Sequence, residues 1–530
     1  MSKTQVPHHS CVVSDRITTQ PRPGTIIPSQ RIAVSAPMAR PARLVAGLCL
    51  CLGLGGCIAL GPDYTEPDAK VEADWQESTN ALINNTAAVD ARWWQTSFRD
   101  PVLDRLVEQA LQENLTLRSA ALRVLQAQQQ LRIAIGNQYP QQQVGAGSAS
   151  RQRQRGDTFE DYSLGGSVSW ELDFWGRFRR QVQSASATLD ASVASYDGAL
   201  ISLVSQVAQT YIQIRTFQER IDVANENVKQ QEESLRIAQA KFDAGAVSEL
   251  DVDQAESLLY NTKASVSGLE TALQQSKNSL AVLLGQPPQD LGYILGAKMA
   301  IPVTPPAAAL GMPQDLIRRR PDIRVAERQL AAQSAQIGVA VTDLYPAFSI
   351  GGFIGTAADD TGNLFEGDSK EWNFFGSFQW NLFNYGRLRS NVRLQDALFQ
   401  QLLVDYRNTV LLAQSDVENA IVAYLRSHDQ LAAYQLAAAA SQRAVNIATI
   451  QYQEGSIDFD TLITTLNANV QQQDLFASSA GTVSVNLVQV YLALGGGWTI
   501  RDGKNPVEFL PETMKDEMRE RTGQWKGVLE

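Results

Sequence analysis

Polar and apolar residues alternate strictly in two segments of this chain. The apolar or glycine positions are Leu164, Gly166, Val168, Trp170, Leu172 and Phe174 in the first, and Trp372, Phe374, Phe378, Trp380 and Leu382 in the second. Successive side chains of a β-strand point to opposite faces, so each segment predicts a strand with one apolar, aromatic face and one small or polar face. This pattern occurs in membrane β-barrels and in amphipathic strands of soluble sheets, and both interpretations stay open.

A second, weaker alternation precedes each of these strands. Residues 143–151 and 348–355 are therefore expected to form two further strands. The segments that connect each pair, 151–161 and 356–371, are polar and are expected to be loops or turns.

After each strand pair the period of the apolar positions changes to seven. The first series is Leu200, Val207, Ile214, Ile221, Val228, Leu235 and Phe242, and the second is Val410, Val417, Tyr424, Leu431, Ala438, Val445 and Tyr452. A sustained heptad predicts helices that pack along each other as coiled coils. A helix over 180–243 would be about 95 Å long. Shorter helices are expected near 102–138 and 313–343, ahead of each strand pair.

The chain contains one structural unit twice. The segment from Trp170 to Arg177 recurs 210 residues later, from Trp380 to Arg387, and Gly245 matches Gly455 at the same offset. We therefore divide the chain into a first repeat at 57–286, a proline-rich linker at 287–312, a second repeat at 313–500 and a charged tail at 501–530.

Residues 1–56 have the features of an export signal. An apolar run at 44–56 follows Arg40 and Arg43, ends at Cys57 and is too short to span a membrane. We expect translation to begin at Met38, because 1–37 is polar and proline-rich. The residues before Cys57 resemble a bacterial lipobox, which implies cleavage there and a covalent diacylglycerol and N-acyl lipid on Cys57. An ordinary signal peptide with an incidental cysteine is the alternative.

Composition argues against several classes of function. The formal net charge of −11 argues against nucleic-acid binding. All four cysteines lie at or before position 57, and His428 is the one histidine after it. His428 lies in a heptad region and is expected to be a helix residue rather than a ligand. We predict no catalytic residue, no metal site and no cofactor beyond the lipid on Cys57, and hence no enzyme.

Several motifs occur in the order found in one known family. They are Gly-Pro-Asp-Tyr at 61–64, Arg-Pro-Asp-Ile-Arg at 320–324, Leu-Tyr-Pro at 344–346, and the strand-to-helix exits Gly176-Arg177 and Gly386-Arg387. On these residues the chain resembles the TolC-like outer-membrane factors of tripartite efflux pumps, specifically the NodT-type lipoproteins.

The resemblance implies a mixed fold, a membrane β-barrel joined to a long α-helical barrel. In the family, a homotrimer takes four strands from each chain to form a 12-stranded barrel, and the long helices form a coiled-coil periplasmic tunnel. From the residues alone, four strands are too few to close a barrel, so two or three chains would be needed.

The implied function is a passive exit duct for small molecules in the bacterial outer membrane. Its implied partners are a periplasmic adaptor, an inner-membrane transporter and the lipid of the outer membrane. The exit channel of a type I protein secretion system is the alternative, and a trimeric adhesive stalk is a structural alternative that would conduct nothing.

The helix lengths place the turns at Gly245 and Gly455 at the end of the helices far from the strands. Acidic residues follow each turn: Glu249, Asp251 and Asp253 in the first repeat, and Asp458 and Asp460 in the second. They are expected either to cap the returning helices or, gathered around a symmetry axis, to form a negative ring that gates the periplasmic mouth and favours cations. Asp458 and Asp460 are the first candidates for this ring.

Overall fold

Two long helical hairpins and a four-stranded antiparallel sheet make up most of the chain. A computed structural model describes residues 59–84, 90–302, 304, 308, 309, 311, 319–497 and 499–529. Met38, Cys57 and the leader at 1–56 lie outside the described residues.

The elements follow one another in the order expected of a duplicated chain. Up to the linker they are β1 Ile83–Asn84, α1 Trp93–Phe98, α2 Pro101–Glu113, α3 Leu115–Gly136, β2 Gln142–Gln154, β3 Asp157–Leu172, α4 Arg177–Asp243 and α5 Glu249–Leu283. The linker holds α6 Gly292–Leu295 and β4 Ala308–Ala309. The second repeat and tail comprise α7 Pro321–Thr342, β5 Ala347–Ala358, β6 Lys370–Gln379, α8 Arg387–Gln453, α9 Phe459–Ala493 and α10 Glu512–Arg521.

The repeats agree in the length of every helix that they share. The helices α4 and α8 have 67 residues each, α5 and α9 have 35 each, and α3 and α7 have 22 each. At 1.5 Å per residue, α4 and α8 are about 100 Å long. The duplication and the very long helices predicted from the heptads are therefore confirmed.

All four long strands form one sheet in the order β2-β3-β5-β6. Trp170 of β3 lies opposite Ile350 of β5, and Ile354 of β5 lies opposite Trp372 of β6. The alternating apolar residues of the two repeats consequently share one face, which we call the apolar face. Its exposed large residues are Leu164, Val168, Ile350, Ile354, Trp372, Phe374 and Phe378. The other face, which we call the polar face, carries Ser163, Ser167, Ser349 and Ser377.

The first hairpin corrects one expectation. The polar segment 151–161 is not a loop, because β2 and β3 continue through it and are joined by Arg155 and Gly156 alone. Both connecting residues have positive φ, 57° and 103°, as a two-residue hairpin turn requires. The loop expected at 356–371 is shorter too, since β5 extends to Ala358 and β6 begins at Lys370.

Two helix and strand boundaries also differ from expectation. The single helix expected near 102–138 is broken at Asn114, whose backbone is extended. In the second repeat, a helix has its first turn at Pro321 and Asp322, where the sequence favours one. The last strand ends at Gln379, so Trp380 and Leu382 lie beyond it.

The long helices pack alongside one another in one array, which we call the wall. Near the strands α4 lies between α3 and α7, and farther away it lies between α5 and α9. Helix α8 packs against α7 and then against α9. The length and composition of α9 alone would suit a helix that spans a membrane. Half of its most apolar stretch is buried, however, because α9 lies between two neighbouring helices.

The linker and the tail fold onto the helices near the middle of the wall. Leu291 and Leu295 of the linker are buried, and β1 pairs with β4 in parallel. In the tail, the Arg501 guanidinium makes a two-pronged ion pair with Asp197 of α4, at 2.9 and 3.3 Å. Asp197 is 2% exposed, so this pair fixes the tail to the wall.

Candidate functional site

Each strand pair passes into a long helix through a glycine. Gly176 and Gly386 precede α4 and α8 with φ of 79° and 84°. The carboxylate of Asp173 accepts the backbone N–H groups of Phe178 and Arg179 at 3.0 and 3.1 Å, which satisfies two free donors of the first turn of α4. Gly176 has a second constraint, because a Cβ there would lie 2.8 Å from Cα of Ala59.

The two junction arginines, Arg177 and Arg387, are the first residues of α4 and α8. The Arg177 guanidinium lies 3.5 Å from Glu171 at the end of β3 and 3.9 Å from Asp343 at the end of α7. It therefore joins strand and helix ends from both repeats. Arg387 occupies the equivalent place in the second repeat and is exposed.

A tryptophan fastens each strand pair to the helix before it. The indole N–H of Trp170 donates to the carbonyl of Gln138 at 3.1 Å, and that of Trp380 donates to the carbonyl of Leu344 at 3.0 Å. These contacts are equivalent in the two repeats. Tryptophan suits this place, since one edge is apolar and the other hydrogen-bonds, as at a membrane–water boundary.

The described N-terminal segment runs along the wall from the strand end. The N–H of Leu60 donates to the carbonyl of Trp175 at 3.0 Å, and Asp63 pairs with Arg180 at 2.9 Å. Tyr64 donates its hydroxyl to Glu327 at 2.6 Å, and this contact and burial raise the pKa of Tyr64. The Gly-Pro-Asp-Tyr motif thus holds the start of the described chain at the strand-to-helix junction.

The helical turns at Gly245 and Gly455 have the same geometry. Both glycines have positive φ, 73° and 77°. The N–H of Ala246 donates to the carbonyl of Lys241, and that of Ser456 donates to the carbonyl of Gln451, each at 2.8 Å. These bonds close a Schellman turn, in which glycine is favoured because of its positive φ. We call the two turns together with the start of each returning helix, 244–253 and 454–460, the tip.

The acidic residues of the tip divide into two kinds. Asp458 caps α9, since its Oδ1 accepts the N–H of Thr461 at 3.0 Å and the Thr461 hydroxyl at 2.6 Å. These hydrogen bonds lower the pKa of Asp458. Asp251 accepts the hydroxyl of Ser248 at 3.2 Å in the first turn of α5. The capping interpretation therefore applies to Asp458, whatever further role its charge has.

The remaining tip carboxylates are those of Glu249, Asp253 and Asp460. All three residues are exposed. Asp253 lines a shallow cleft between α5 and α9 together with Asn261 and Asn467. The five acidic residues thus lie at one end of the wall, as the helix lengths predicted.

The two repeats contact each other just above the tip. Lys241, in the last turn of α4, donates to the carbonyl of Tyr452 and lies 4.6 Å from the centre of its ring. The ring of Tyr452 packs at 5.2 Å from that of Phe459. The equivalent residue of the first repeat, Phe242, is exposed. The heptad therefore stays buried to its end in α8 but not in α4.

Sequence reasoning missed a pair of helix joints in the middle of the wall. The Asn114 amide donates to the carbonyl of Leu283, the last residue of α5, at 2.9 Å, while its Oδ1 caps α3 at Leu117. In the second repeat Arg320 donates to the carbonyl of Ala493, the last residue of α9, at 2.8 Å. Each residue thus joins two helices end to end.

The joint at Arg320 explains the Arg-Pro-Asp motif. The Arg320 guanidinium also pairs with Asp322 at 2.6 Å and with Asp416 of α8 at 3.1 Å. It lines a crevice of about 610 Å³ where α7 and α9 meet between α4 and α8. The Arg-Pro-Asp motif, which carries part of the family resemblance, could have indicated a structural arginine but not its partners, whereas Asn114 has no signal beyond its capping propensity.

Among the described residues, no group of three or more His, Cys, Asp or Glu side chains is placed to hold a metal ion. His428 packs edge-on against Tyr424, with ring centres 4.8 Å apart. Burial lowers the pKa of His428. Its surroundings are those of a packed helix residue.

A long helical wall joined to a sheet with an exposed apolar face is a known arrangement. Residues 106–286 and 312–496 match the family model described as outer membrane efflux protein. The chain belongs to this family. Its members are channel proteins rather than enzymes, and the TolC-like, NodT-type resemblance is confirmed.

Two relatives and one solved structure show how far this similarity extends. The cation efflux system protein CusC of Escherichia coli O6:H1 is 30% identical over 85% of this chain and 98% of its own length. Nodulation protein T of Rhizobium leguminosarum bv. trifolii is 30% identical over 86% of this chain and 96% of its own. The Campylobacter jejuni CmeC outer membrane channel covers 86% of this chain and 100% of its own, with a TM-score of 0.79 and 25% identity.

The family assignment places the helices and strands relative to the outer membrane. The protein is an outer-membrane channel of the efflux type, with its helices forming a periplasmic tunnel. The strand ends that join the helices therefore face the periplasm, and the hairpin ends at 154–157 and 358–370 face the outside. The apolar face of the sheet suits contact with lipid, since a spanning barrel exposes its apolar side chains to lipid.

Proposed function

We propose that three copies of this chain form a continuous duct, in which 12 strands make the barrel and 12 helical segments make the tunnel wall. The duct passes small molecules outward from an energised inner-membrane transporter, to which a periplasmic adaptor connects it. The cargo is set by the transporter, since the described residues hold no site that would select one.

The observation that carries this proposal is the pair of free sheet edges. Strands β2 and β6 lie at the two ends of the sheet and have no partner on their outer sides among the described residues. Unpaired backbone groups in hydrocarbon cost several kcal/mol each, so a lipid-exposed sheet must close on itself. Pairing of β6 with β2 of the next copy closes it.

The surface of α8 supports the same assembly. Within one chain this helix leaves a series of large apolar side chains exposed: Leu394, Val404, Leu411, Leu412, Val422, Leu436, Ile447 and Ile450. In each chain α9 lies between α8 and α4, whereas α5 packs along α4 and touches α9 far less extensively. The duplication therefore favours α8 of the next copy as the missing neighbour of α5.

Cysteine cross-linking tests the closure. Single cysteines at Ser148 of β2 and at successive positions of β6, combined in one chain, should give oxidised ladders that end at the trimer. Ser163 of β3 in place of Ser148 is the matched control, because β3 is paired on both sides within the chain. Ladders that end at the dimer, or equal cross-linking of both pairs, would contradict the proposal.

We also propose that Cys57 carries the lipid. Ala59, two residues later, lies against Gly176 at the periplasmic end of the strands. Two residues span at most about 7 Å, so the lipid would be attached close to the inner surface of the membrane. The acidic residues of the tip are proposed to line the periplasmic mouth, with the charges of Asp458 and Asp460 facing the pore.

A further inference from the structure

Charged residues at the outer end of the sheet are sorted by sign between its two faces. In β2 and β3 the register pairs Arg151 with Glu160 and Arg153 with Thr158. Paired residues share a face, and counting in steps of two places Arg151 and Arg153 on the apolar face with Leu164. The same count places Asp157 and Asp161 on the polar face.

The second repeat repeats the pattern. Lys370, the first residue of β6, lies opposite Thr356, which lies opposite Leu164. Lys370 is therefore on the apolar face, and its neighbour Glu371 is on the polar face. Among the strand residues on the apolar face, Glu160 carries the one carboxylate and pairs with Arg151 at 3.1 Å, while Asp360 of the connection between β5 and β6 lies near Tyr162 of the same face.

Arg151 and Arg153 lie just beyond the apolar band, whereas Lys370 is level with Leu164 at the outer part of the band. The residues that β3 contributes to the apolar face run from Leu172 to Tyr162. This distance is ten residues, or about 34 Å along the strand. At a tilt of about 40° this is about 26 Å of membrane thickness, close to the apolar band of an outer-membrane barrel. Arg151 and Arg153 follow one and two steps farther out. They lie at the level of the lipid headgroups on the external side.

The arginine side chains are free to reach a ligand. The side chain of Arg151 is 74% exposed despite its contact with Glu160, and Arg153 and Lys370 are exposed as well. Guanidinium groups bind phosphate oxygens through two parallel hydrogen bonds, and an ammonium adds a compact charge. A cationic group here also avoids the cost of facing the hydrocarbon, because long basic side chains extend toward the headgroups.

We propose that Arg151, Arg153 and Lys370 form a binding site for the phosphate groups of a phosphorylated glycolipid in the outer leaflet. The lipid site rests on the proposed trimer, in which β6 of one copy lies beside β2 of the next. Lys370 and the two arginines then lie on neighbouring strands at each junction, and three cations spaced along these strands suit a headgroup with more than one phosphate. The lipid fastens the seam between neighbouring chains from outside.

Lipid binding to the full-length trimer in uncharged detergent tests the site. The probes are lipid A with two phosphates, the same lipid without phosphates, and phosphatidylglycerol. The parent protein should bind the phosphorylated lipid A at least about tenfold more tightly than either other probe. The R151Q/R153Q/K370Q variant should lose that preference. No preference in the parent, or equal binding of phosphatidylglycerol, would overturn the glycolipid assignment.

A matched variant separates position from net charge. K229Q/R236Q/R426Q removes the same three charges from exposed residues of the helices. It should keep the preference, and a loss equal to that of the sheet variant would overturn the site. Native mass and conductance in a neutral bilayer show whether each variant still assembles, so a failed trimer is distinguished from a lost site. Should the triple variant not assemble, R153Q alone should reduce the preference, and an unchanged preference there would overturn the proposal.

Discussion

Lys241 lies over the ring of Tyr452, and this contact joins the last turn of α4 to the last turn of α8. Replacement of Lys241 by Met keeps the length of the side chain and removes its charge and its donor. We expect the tip to loosen and the conductance of the reconstituted channel to rise. Lys229→Met is the control, because Lys229 pairs with Glu226 of its own helix. Equal conductance of both variants would show that the contact does not restrain the tip.

The two acidic residues at the start of α9 allow charge and capping to be separated. Asp460 makes no cap, whereas Asp458 does. We expect cation selectivity and block by multivalent cations to fall in Asp460→Asn and to fall further in the Asp458→Asn, Asp460→Asn double variant. Reversal potentials in a salt gradient measure this. Parent selectivity in the double variant would remove both residues from the gate.

The cap at Asp458 also predicts a dependence on pH. Its pKa is lowered in the folded chain by the bonds to Thr461, so the cap stabilises the fold fully above the pKa of the unfolded chain. This contribution is lost as the pH falls from about 4 through the folded pKa. Thermal unfolding should therefore show a weaker acid dependence in Asp458→Asn than in the parent. Identical pH profiles would contradict the assignment.

His428 should affect the stability of the fold at a higher pH than Asp458 does. Burial lowers its folded pKa, with Asp429 opposing the shift, so protons bind the unfolded chain first as the pH falls. The fold should lose stability from about pH 6.5 downward, until the folded pKa is reached. His428→Phe should remove this part of the pH profile of the melting temperature. A profile unchanged between pH 7 and 5 would show that the histidine does not titrate in this range.

The joint at Asn114 is expected to contribute to stability. Asn114→Ala removes both the cap of α3 and the bond to Leu283, at a cost of about 1–2 kcal/mol. The melting temperature of the purified protein measures the loss, and Gln112→Ala, in the exposed last turn of α2, is the control. Equal melting temperatures would mean that the two helices hold their alignment without the joint.

The lipid on Cys57 is expected to anchor the chain without building the channel. A lipid chain adds about 0.8 kcal/mol per buried CH₂ group, while the closed barrel already spans the membrane. Cys57→Ser behind a different signal peptide should still give trimers in the outer membrane fraction. Recovery of soluble monomers alone would show that the lipid is needed for assembly.

Periodic features of the sequence predicted the architecture well. The heptads of α4 and α8 and the alternation around Trp170 and Trp380 report burial directly, because each residue of a regular element has a fixed direction. The loop expected at 151–161 was wrong because this segment lacks such a pattern. Polar residues occupy almost every position there, so neither face of the two strands carries an apolar series, and the alternation that identifies a strand is missing.

The joints in the wall could not be predicted from either repeat. Asn114 and Arg320 occupy equivalent places and bind the equivalent carbonyls of Leu283 and Ala493. An amide and a guanidinium fill the same role through different chemistry, so comparison of the two repeats as sequences hides it. The contact of Lys241 with Tyr452 likewise depends on which helices become neighbours, which no local pattern specifies.

The equal lengths of the paired helices restrict how the length of a duct of this kind can change. Because the hairpins of α4 with α5 and of α8 with α9 end level, a longer duct requires four matched insertions, each a whole number of heptads. A single insertion would leave one hairpin projecting past its neighbours and turn its apolar seam away from them. The 11 residues between Ala358 and Lys370, by contrast, replace a two-residue turn of the other repeat. Length can vary freely at the outer surface, while the distance that the duct bridges across the periplasm changes only in coordinated steps.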